Sequence, residues 1–193
     1  MVERNVTGDQ TRFAFLTELI DEGSVRTPDA AAISDPHQSL TYRQLRAAVS
    51  DTATWLASAG VRAGDRVLIV GENTCGLVVL LLAAQHMQAW PAIANARLPL
   101  IEIEALGRHA GVRLTLFPTQ GSRVACERAR EASAVLQHDL ITGEVALGSL
   151  ATDVSPEPLS GDPAHNCALL LFTSGTTGRP KAVMSSNSGI GGL

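Results

Sequence analysis

The chain has 193 residues, of which 45% are hydrophobic and 18% are charged, and its formal net charge is −4. These values are typical of a soluble globular protein and argue against a disordered chain, and the length suffices for one domain with a sizeable core or for two small ones. The slightly acidic balance gives no reason to expect a nucleic acid or an anionic membrane as a partner.

The cysteines and the amino terminus indicate a cytoplasmic protein. Cys75, Cys126 and Cys167 are odd in number and far apart, which suits free thiols in a reducing compartment. None stands at metal-ligand spacing from a histidine, so we expect no metal site. The first ten residues lack the apolar core of a signal peptide. The longest apolar run, 77–84, is far shorter than the ~20 residues of a membrane span.

Apolar residues at helical spacing alternate along the chain with short apolar runs. The helical patterns cover 11–22, 41–59, 74–89, 99–110 and 124–136. Gly23 is expected to end the first, Thr41 and Asn73 to cap the second and third, and Pro99 to begin the fourth. The strand patterns cover 30–34, 39–42, 66–70, 90–94, 112–117 and 166–172. This alternation predicts an α/β fold, a mostly parallel sheet with helices on both faces.

The chain divides into three parts on this basis. Residues 11–147 form an α/β subdomain, and 148–163, with three prolines and few large apolar residues, form a surface connection. Residues 164–193 contain the last strand, a polar loop and a tail. The tail is expected to be irregular, because three glycines within five positions cost a helix roughly ~1 kcal/mol each relative to alanine.

The most informative segment follows the last predicted strand. There Leu169-Leu170-Leu171-Phe172 leads directly into Thr173-Ser174-Gly175-Thr176-Thr177-Gly178-Arg179-Pro180-Lys181. The two glycines let backbone N–H groups converge on an anion, the hydroxyls add donors, and Lys181 adds a mobile positive charge. The segment predicts a phosphate-binding loop at the end of a buried strand.

Three alternatives bear on this loop. A Walker A loop has glycine before its lysine, where this chain has Pro180, and the dinucleotide fingerprint has a different glycine spacing. An ordinary Thr- and Gly-rich surface turn remains open from the residues alone, since such residues dominate turns.

The whole string from Phe172 to Lys181 resembles the signature loop of the adenylate-forming enzymes: acyl-CoA synthetases, adenylation domains of peptide synthetases, and luciferases. Ala182 stands where that family usually has glycine, and Asn187 where it usually has histidine. Upstream landmarks of the family follow in order at 27–30, 40–45, 60–67 and 89–99. The sequence Asn95-Ala96-Arg97-Leu98-Pro99 is closer to that of acyl- or aryl-CoA synthetases than to that of peptide-synthetase domains, which tend to carry aspartate there.

The resemblance implies an incomplete N-terminal subdomain of a ligase that activates a carboxylic acid with ATP and passes the acyl group to CoA. It places the phosphates and their Mg²⁺ at seven residues: Thr173, Ser174, Gly175, Thr176, Thr177, Gly178 and Lys181. No residue of this chain matches the family's adenine and ribose contacts, its acidic metal-binding residue or its catalytic lysine.

Three functions therefore stay open. The chain is the N-terminal part of an acyl-CoA synthetase and is inactive alone, or it is a non-catalytic nucleotide or polyphosphate binder. The third function is a half-enzyme that docks onto a complementary chain or associates with itself through an exposed sheet edge.

Overall fold

The structure of the chain is a computed structural model that describes residues 16–140, 143–173 and 181–191, without the side chains of 137–140, 173, 181 and 191. The α-helices of this part are α1 (Leu16–Arg26), α2 (Tyr42–Ser58), α3 (Cys75–His86), α4 (Leu100–Ala110), α5 (Arg123–Glu131) and α6 (Asn187–Gly191). The strands are β1 (Ala31–Ser34), β2 (Ser39–Thr41), β3 (Arg66–Gly71), β4 (Trp90–Asn95), β5 (Leu114–Pro118), β6 (Val135–Leu140), β7 (Gly143–Leu147), β8 (Cys167–Thr173) and β9 (Lys181–Ser186).

Seven of these strands form one sheet in the order β6-β7-β5-β3-β4-β8-β9, and β1 and β2 form a separate antiparallel hairpin. The four central strands β5, β3, β4 and β8 are parallel to one another. The pairs at the two sides, β6–β7–β5 and β8–β9, are antiparallel. The predicted α/β class is confirmed, with antiparallel pairs flanking the parallel centre.

Helices cover both faces of the sheet because the central strands are apolar on both sides. On β3, Val67 and Ile69 pack with α2 and α3 on one face. Leu68 and Val70 pack with α4 and α5 on the other face. Burying both faces explains why these strands are continuous apolar runs rather than alternating ones.

A third layer covers α3 from outside, where α1, α2 and the β1–β2 hairpin share one apolar cluster with it. The predicted deep burial of α3 is confirmed, since it lies between this layer and the sheet and is apolar almost all round. None of the helices in the described ranges is both long enough and apolar enough to cross a bilayer.

Two predicted helix ends differ from the structure. Helix α1 continues through Gly23 to Arg26, so the predicted stop at Gly23 is wrong. A Cβ on Gly23 would lie 2.3 Å from Cδ1 of Tyr42, and glycine is therefore needed there for close packing rather than for termination. At α3 the capping residue is Thr74 and not Asn73, because the Thr74 hydroxyl accepts the N–H of Leu77 at 3.2 Å.

The predicted helix 124–136 is wrong in its second half. Helix α5 ends at Glu131, and after Ser133, whose φ is +52°, the chain enters β6. Strand β6 pairs with β7, a strand that the sequence analysis missed. This long-range antiparallel pairing overrides the local helical spacing.

The expected irregular tail is also wrong within the described residues. Residues 181–186 form β9, which pairs with β8, and the short helix α6 follows. Hydrogen bonds stabilise this turn of helix despite its glycines: the N–H of Asn187 donates to the carbonyl of Asn166, and that of Gly189 to the hydroxyl of Ser186.

The segment between β7 and β8 runs past the amino ends of the parallel strands. Most of it has no regular secondary structure. The N–H of Ala151 donates to the carbonyl of Arg113 at 2.8 Å, and that of Glu157 to the carbonyl of Gly64 at 2.9 Å. The Glu157 carboxylate pairs with Arg66, whose guanidinium lies 5.7 Å from the centre of the Trp90 ring. The connection is thereby held to the sheet at several points.

Candidate functional site at the carboxyl ends of the parallel strands

Strands β8 and β9 carry the predicted phosphate loop. Thr173 and Lys181, the last residue of β8 and the first of β9, are directly paired. Opposite residues of an antiparallel pair have Cα atoms about 5 Å apart, so the two ends of the loop lie side by side. The other five predicted residues, Ser174, Gly175, Thr176, Thr177 and Gly178, lie outside the described residues, as do the side chains of Thr173 and Lys181.

The loop emerges near the point where the order of the parallel strands along the sheet reverses. Strands β3 and β4 end level with each other, at Gly71 and Asn95. The chain leaves β3 for α3 on one face, towards β4, and leaves the neighbouring β5 for α5 on the other face, away from β3. Ligands of open α/β sheets bind in the crevice that such opposite exits create at the carboxyl ends of the strands.

The parallel register places the loop on the same edge of the sheet as this crevice. Ala92 is level with Leu170, and Ile93 with Leu171. The same register carried two residues further sets Asn95 beside Thr173. The loop therefore leaves the sheet beside β4, one strand away from β3, which borders the crevice.

A polar cluster of Glu72, Arg97 and Ser122 occupies the crevice. Glu72 follows β3 and accepts hydrogen bonds from the Ser122 hydroxyl at 2.9 Å and from Arg97 Nη2 at 3.0 Å. The Ser122 bond, and then that of Arg97, lowers the pKa of Glu72. The carboxylate is therefore ionised and its charge is offset by Arg97, most of whose side chain is exposed to solvent.

The sequence analysis named Arg97 only as part of a family landmark and missed Glu72 and Ser122. Glu72 directly follows β3, and Ser122 caps α5 shortly after β5, which is a usable signal for a site at the carboxyl edge. Their meeting could not be read from the sequence, since they are fifty positions apart.

The amino end of α3, a natural place for a phosphate, is already occupied. The Asp35 carboxylate accepts the N–H groups of Cys75 at 2.8 Å, His37 at 2.8 Å and Gln38 at 2.9 Å. The bond from Cys75 contributes most to lowering the pKa of Asp35 to about 2. A second anion at this helix end would meet a fixed negative charge, so this helix end is unfavourable for a phosphate.

Two cavities lie away from this edge. One, of about 490 Å³, lies between α4 and the stretch 148–154, and the other, of about 480 Å³, lies between α1 and α2. In the described ranges, no three metal-ligating side chains come together. Cys75 and Cys167 are buried, and burial raises the pKa of both thiols to about 11.

The fold and the position of the site define an α/β protein whose binding edge carries a Thr- and Gly-rich hairpin loop. The chain belongs to the AMP-binding enzyme family, whose profile matches residues 20–191. This confirms the predicted relation to adenylate-forming enzymes.

The relatives include two of the three kinds of enzyme that the sequence analysis named, a peptide synthetase and a CoA ligase. The chain is 30% identical over 192 residues to phosphinothricin tripeptide synthetase PhsC of Streptomyces viridochromogenes, matching 100% of this chain and 17% of that protein. It is 31% identical over 173 residues to a 4-chlorobenzoate–CoA ligase of Arthrobacter sp, matching 86% of this chain and 32% of the ligase. These similar identities do not distinguish the two classes.

The fold is shared with two solved structures. The N-terminal subdomain of Klebsiella oxytoca NpsA in complex with 3-hydroxybenzoyl-AMSN superposes with a TM-score of 0.62 at 24% identity, over 90% of this chain and 41% of that one. VinN in complex with 3-methylaspartate superposes with a TM-score of 0.68 at 20% identity, over 92% and 48%. The chain thus spans less than half of these structures and at most a third of the two curated relatives.

Proposed function

We propose that this chain binds the β- and γ-phosphates of ATP, with Mg²⁺, as the N-terminal part of a carboxylic acid ligase. Backbone N–H groups of Gly175 and Gly178, hydroxyls of Thr173, Ser174, Thr176 and Thr177, and the ammonium of Lys181 would hold the phosphates. The observation that carries this proposal is the pairing of Thr173 with Lys181 at the carboxyl edge of the sheet, next to β4 and near the crevice between β5 and β3.

The residues present fit a triphosphate better than they fit a free metal ion. Hydroxyls, glycine N–H groups and one ammonium are donors, and they suit anionic oxygens. Mg²⁺ usually retains several waters and binds protein through few side chains together with substrate phosphates.

The proposed reaction begins when a carboxylate oxygen attacks the α-phosphorus of ATP and pyrophosphate leaves. The acyl-adenylate would then pass its acyl group to the thiol of CoA, with release of AMP. Charge accumulates on the phosphates, so fixed donors placed around them supply most of the stabilisation. The sequence from Asn95 to Pro99 supports CoA as the acceptor. The complete reaction requires further parts of the fold, which the longer relatives contain.

Lys181 gives a direct test because it is the only lysine in the sequence. Reductive methylation with ¹³C-formaldehyde keeps its charge and provides one side-chain NMR signal, apart from that of the terminal amine. We expect Mg·ATP to shift this signal. We expect Lys181→Ala to weaken binding about 10- to 100-fold, the range for a lost hydrogen bond to a charged group.

The matched control is Arg130→Ala, which removes one positive charge from an exposed position of α5. Calorimetry of the two variants separates a local contact from a change in net charge. Equal weakening by both, or no Mg·ATP binding by the wild type, would contradict the proposed phosphate site. Acid-dependent exchange of pyrophosphate into ATP by the isolated chain would show a complete active site, which we do not expect.

A second candidate function, association through the sheet edge, has its own observation. Leu171, Val183 and Met184 on β8 and β9 are 43%, 47% and 53% exposed, and β9 is the outermost described strand on its side. Apolar side chains on an edge strand favour pairing with another chain. Sedimentation velocity of the wild type and of Val183→Lys tests this: a concentration-independent monomer in both would rule the association out.

A further inference from the structure

The β8–β9 hairpin has few apolar contacts that fix its register. Outward-facing Leu171 and Val183 form a cross-strand pair, and Met184 opposite Leu170 is also exposed. A slip of β9 by two residues keeps every side chain on its own face, so burial discriminates weakly against it. Such a slip would move Lys181 by about 7 Å relative to Thr173.

Asn187 ties the end of β9 to the residues that precede β8. Only 4% of its surface is exposed. Its backbone N–H donates to the carbonyl of Asn166 at 3.0 Å, and its side-chain Nδ2 donates to the carbonyl of Pro163 at 2.9 Å. Both acceptors lie outside the β8–β9 ladder, so a slipped strand would lose both bonds at once.

The partner side of this connection is itself fixed. Asn166 is 6% exposed, and its Oδ1 accepts the N–H of Ser160 at 2.7 Å. Gln85 of α3 donates through Nε2 to the carbonyl of Ala168 at 2.5 Å. Strand β8 is thus anchored to the sheet, to α3 and to the preceding connection, and β9 is positioned against a fixed reference.

The buried residues Asn187 and Asn166 also make an alternative register of β9 unfavourable. Leaving a buried polar group without a partner is unfavourable, and a slip would leave the groups of both Asn187 hydrogen bonds without partners. Between Cys167 and Leu169 the ladder contains a register shift, opposite Ser186 and Ser185. The polar contacts and this irregularity are adjacent, so the register is set at the base of the hairpin rather than along its exposed faces.

We propose that Asn187 is a positioning residue that fixes the register of β8 and β9 and thereby the relative placement of Thr173 and Lys181. Its effect on ATP rests on the proposed phosphate site, whereas its effect on register does not. Asn187 acts through Pro163 and Asn166 and touches no substrate.

An engineered disulfide measures the register directly. Leu171→Cys with Val183→Cys joins the native cross-strand pair, and Leu171→Cys with Ser185→Cys reports a two-residue slip. Cys126, which is partly exposed, is replaced by serine in all proteins, and the buried Cys75 and Cys167 are retained. In a glutathione buffer, peptide mass spectrometry should find the native bridge and little of the offset one.

We expect Asn187→Leu to lower the yield of the native bridge at least threefold and to raise the offset bridge. Asn187→His should retain the native yield, because an imidazole N–H can donate to the Pro163 carbonyl. If circular dichroism shows that Asn187→Leu is unfolded, Asn187→Asp, which lacks the Nδ2 donor, is judged by the same criterion. A folded variant that keeps the native yield would overturn the proposal.

Mg·ATP titration then connects register to binding. Asn187→Leu should bind about tenfold more weakly, and closing the native bridge in that variant should restore the affinity to within twofold. Val49→Ala, buried in the outer helical layer, is the control for general destabilisation and should leave the affinity unchanged. Weak binding that persists after the bridge closes would refute a role through register. No ATP binding by any of the proteins would refute the phosphate site alone.

Discussion

Replacing Asp35 separates two explanations of how the carboxyl edge of the sheet is organised. The Asp35 carboxylate joins the β1–β2 turn to the amino end of α3 through three N–H groups. Asp35→Ala removes the charge and all three acceptors, whereas Asp35→Asn removes the charge and keeps an oxygen. Both variants leave the β8–β9 hairpin untouched.

The magnitude follows from the pKa and from the hydrogen bond to Cys75. A fall from 3.8 to about 2 corresponds to about 2 kcal/mol, and solvent around the turn reduces this to about 1 kcal/mol. Loss of the acceptor for the Cys75 N–H adds about 1 kcal/mol. We therefore expect Asp35→Ala to lose about 2 kcal/mol of unfolding free energy and Asp35→Asn about 1 kcal/mol. The thermal midpoint of Asp35→Ala should fall by about 4–8 °C at this chain length.

The pH dependence has a definite sign. Because the folded pKa is depressed, the ionised carboxylate stabilises the fold fully above about pH 4 and loses this effect as the pH falls through about 2. Urea unfolding of wild type and Asp35→Asn should therefore differ at pH 6 and converge in acid. The control Asp29→Asn, at a carboxylate whose side chain is 82% exposed, should change stability by less than about 0.5 kcal/mol.

The same variants test where the phosphate binds. If the phosphates bind at the β8–β9 loop, Asp35→Asn should leave the affinity for Mg·ATP unchanged in a calorimetric titration. A gain of tenfold or more would show that the amino end of α3 competes for the anion and that the assignment is wrong. A loss of unfolding free energy below about 0.5 kcal/mol for Asp35→Ala would show that the three hydrogen bonds to the Asp35 carboxylate do not stabilise the fold.

Three further predictions concern stability and thiol chemistry. Gly64→Ala should destabilise the fold by at least about 1 kcal/mol, because φ is +81° and a Cβ would lie 2.2 Å from the carbonyl oxygen of Glu157; chemical denaturation measures this, and a neutral result would contradict the close approach. Leu56→Ala, at a fully buried position, should lower the unfolding free energy by about 3 kcal/mol in the same assay, and a loss under about 1 kcal/mol would show a loosely packed core. In native protein at pH 8, an aromatic disulfide reagent should titrate Cys126 before Cys75 and Cys167, whose thiols are buried with pKa values of about 11; three equally fast thiols would contradict their burial.

The centre of the fold could be predicted from the sequence, and its sides could not. Strands β3 and β5 are buried on both faces, so apolar content alone indicates them. Strands β6, β7 and β9 are antiparallel, partly exposed and stabilised by pairing with distant or neighbouring strands, which leaves a weak local pattern. The end of α5 is a clear case, since its helical spacing continues into residues that pair with β7.

The candidate site shows the same division. The order of residues from Phe172 to Lys181 identifies the family without a structure, because the chemistry lies in one continuous segment. The Glu72–Ser122 bond and the Asp35–Cys75 bond join residues 50 and 40 positions apart. Such contacts depend on which strand ends meet at the carboxyl edge, and that order is a property of the assembled sheet.

The connection between β7 and β8 has a consequence for how the protein folds. It passes the amino ends of three intervening strands, β5, β3 and β4, a distance of roughly 19 Å at ~4.8 Å per strand. Strand β8 can therefore dock only after β3 and β4 have formed and a loop of some twenty residues has closed. Closing this loop lowers the chain entropy before the contacts of β8 can stabilise it. The β8–β9 hairpin, which carries the proposed phosphate loop, should be the last part of the sheet to assemble and the first to open. Pulsed hydrogen exchange during refolding would then find the β8 amides protected after those of β3.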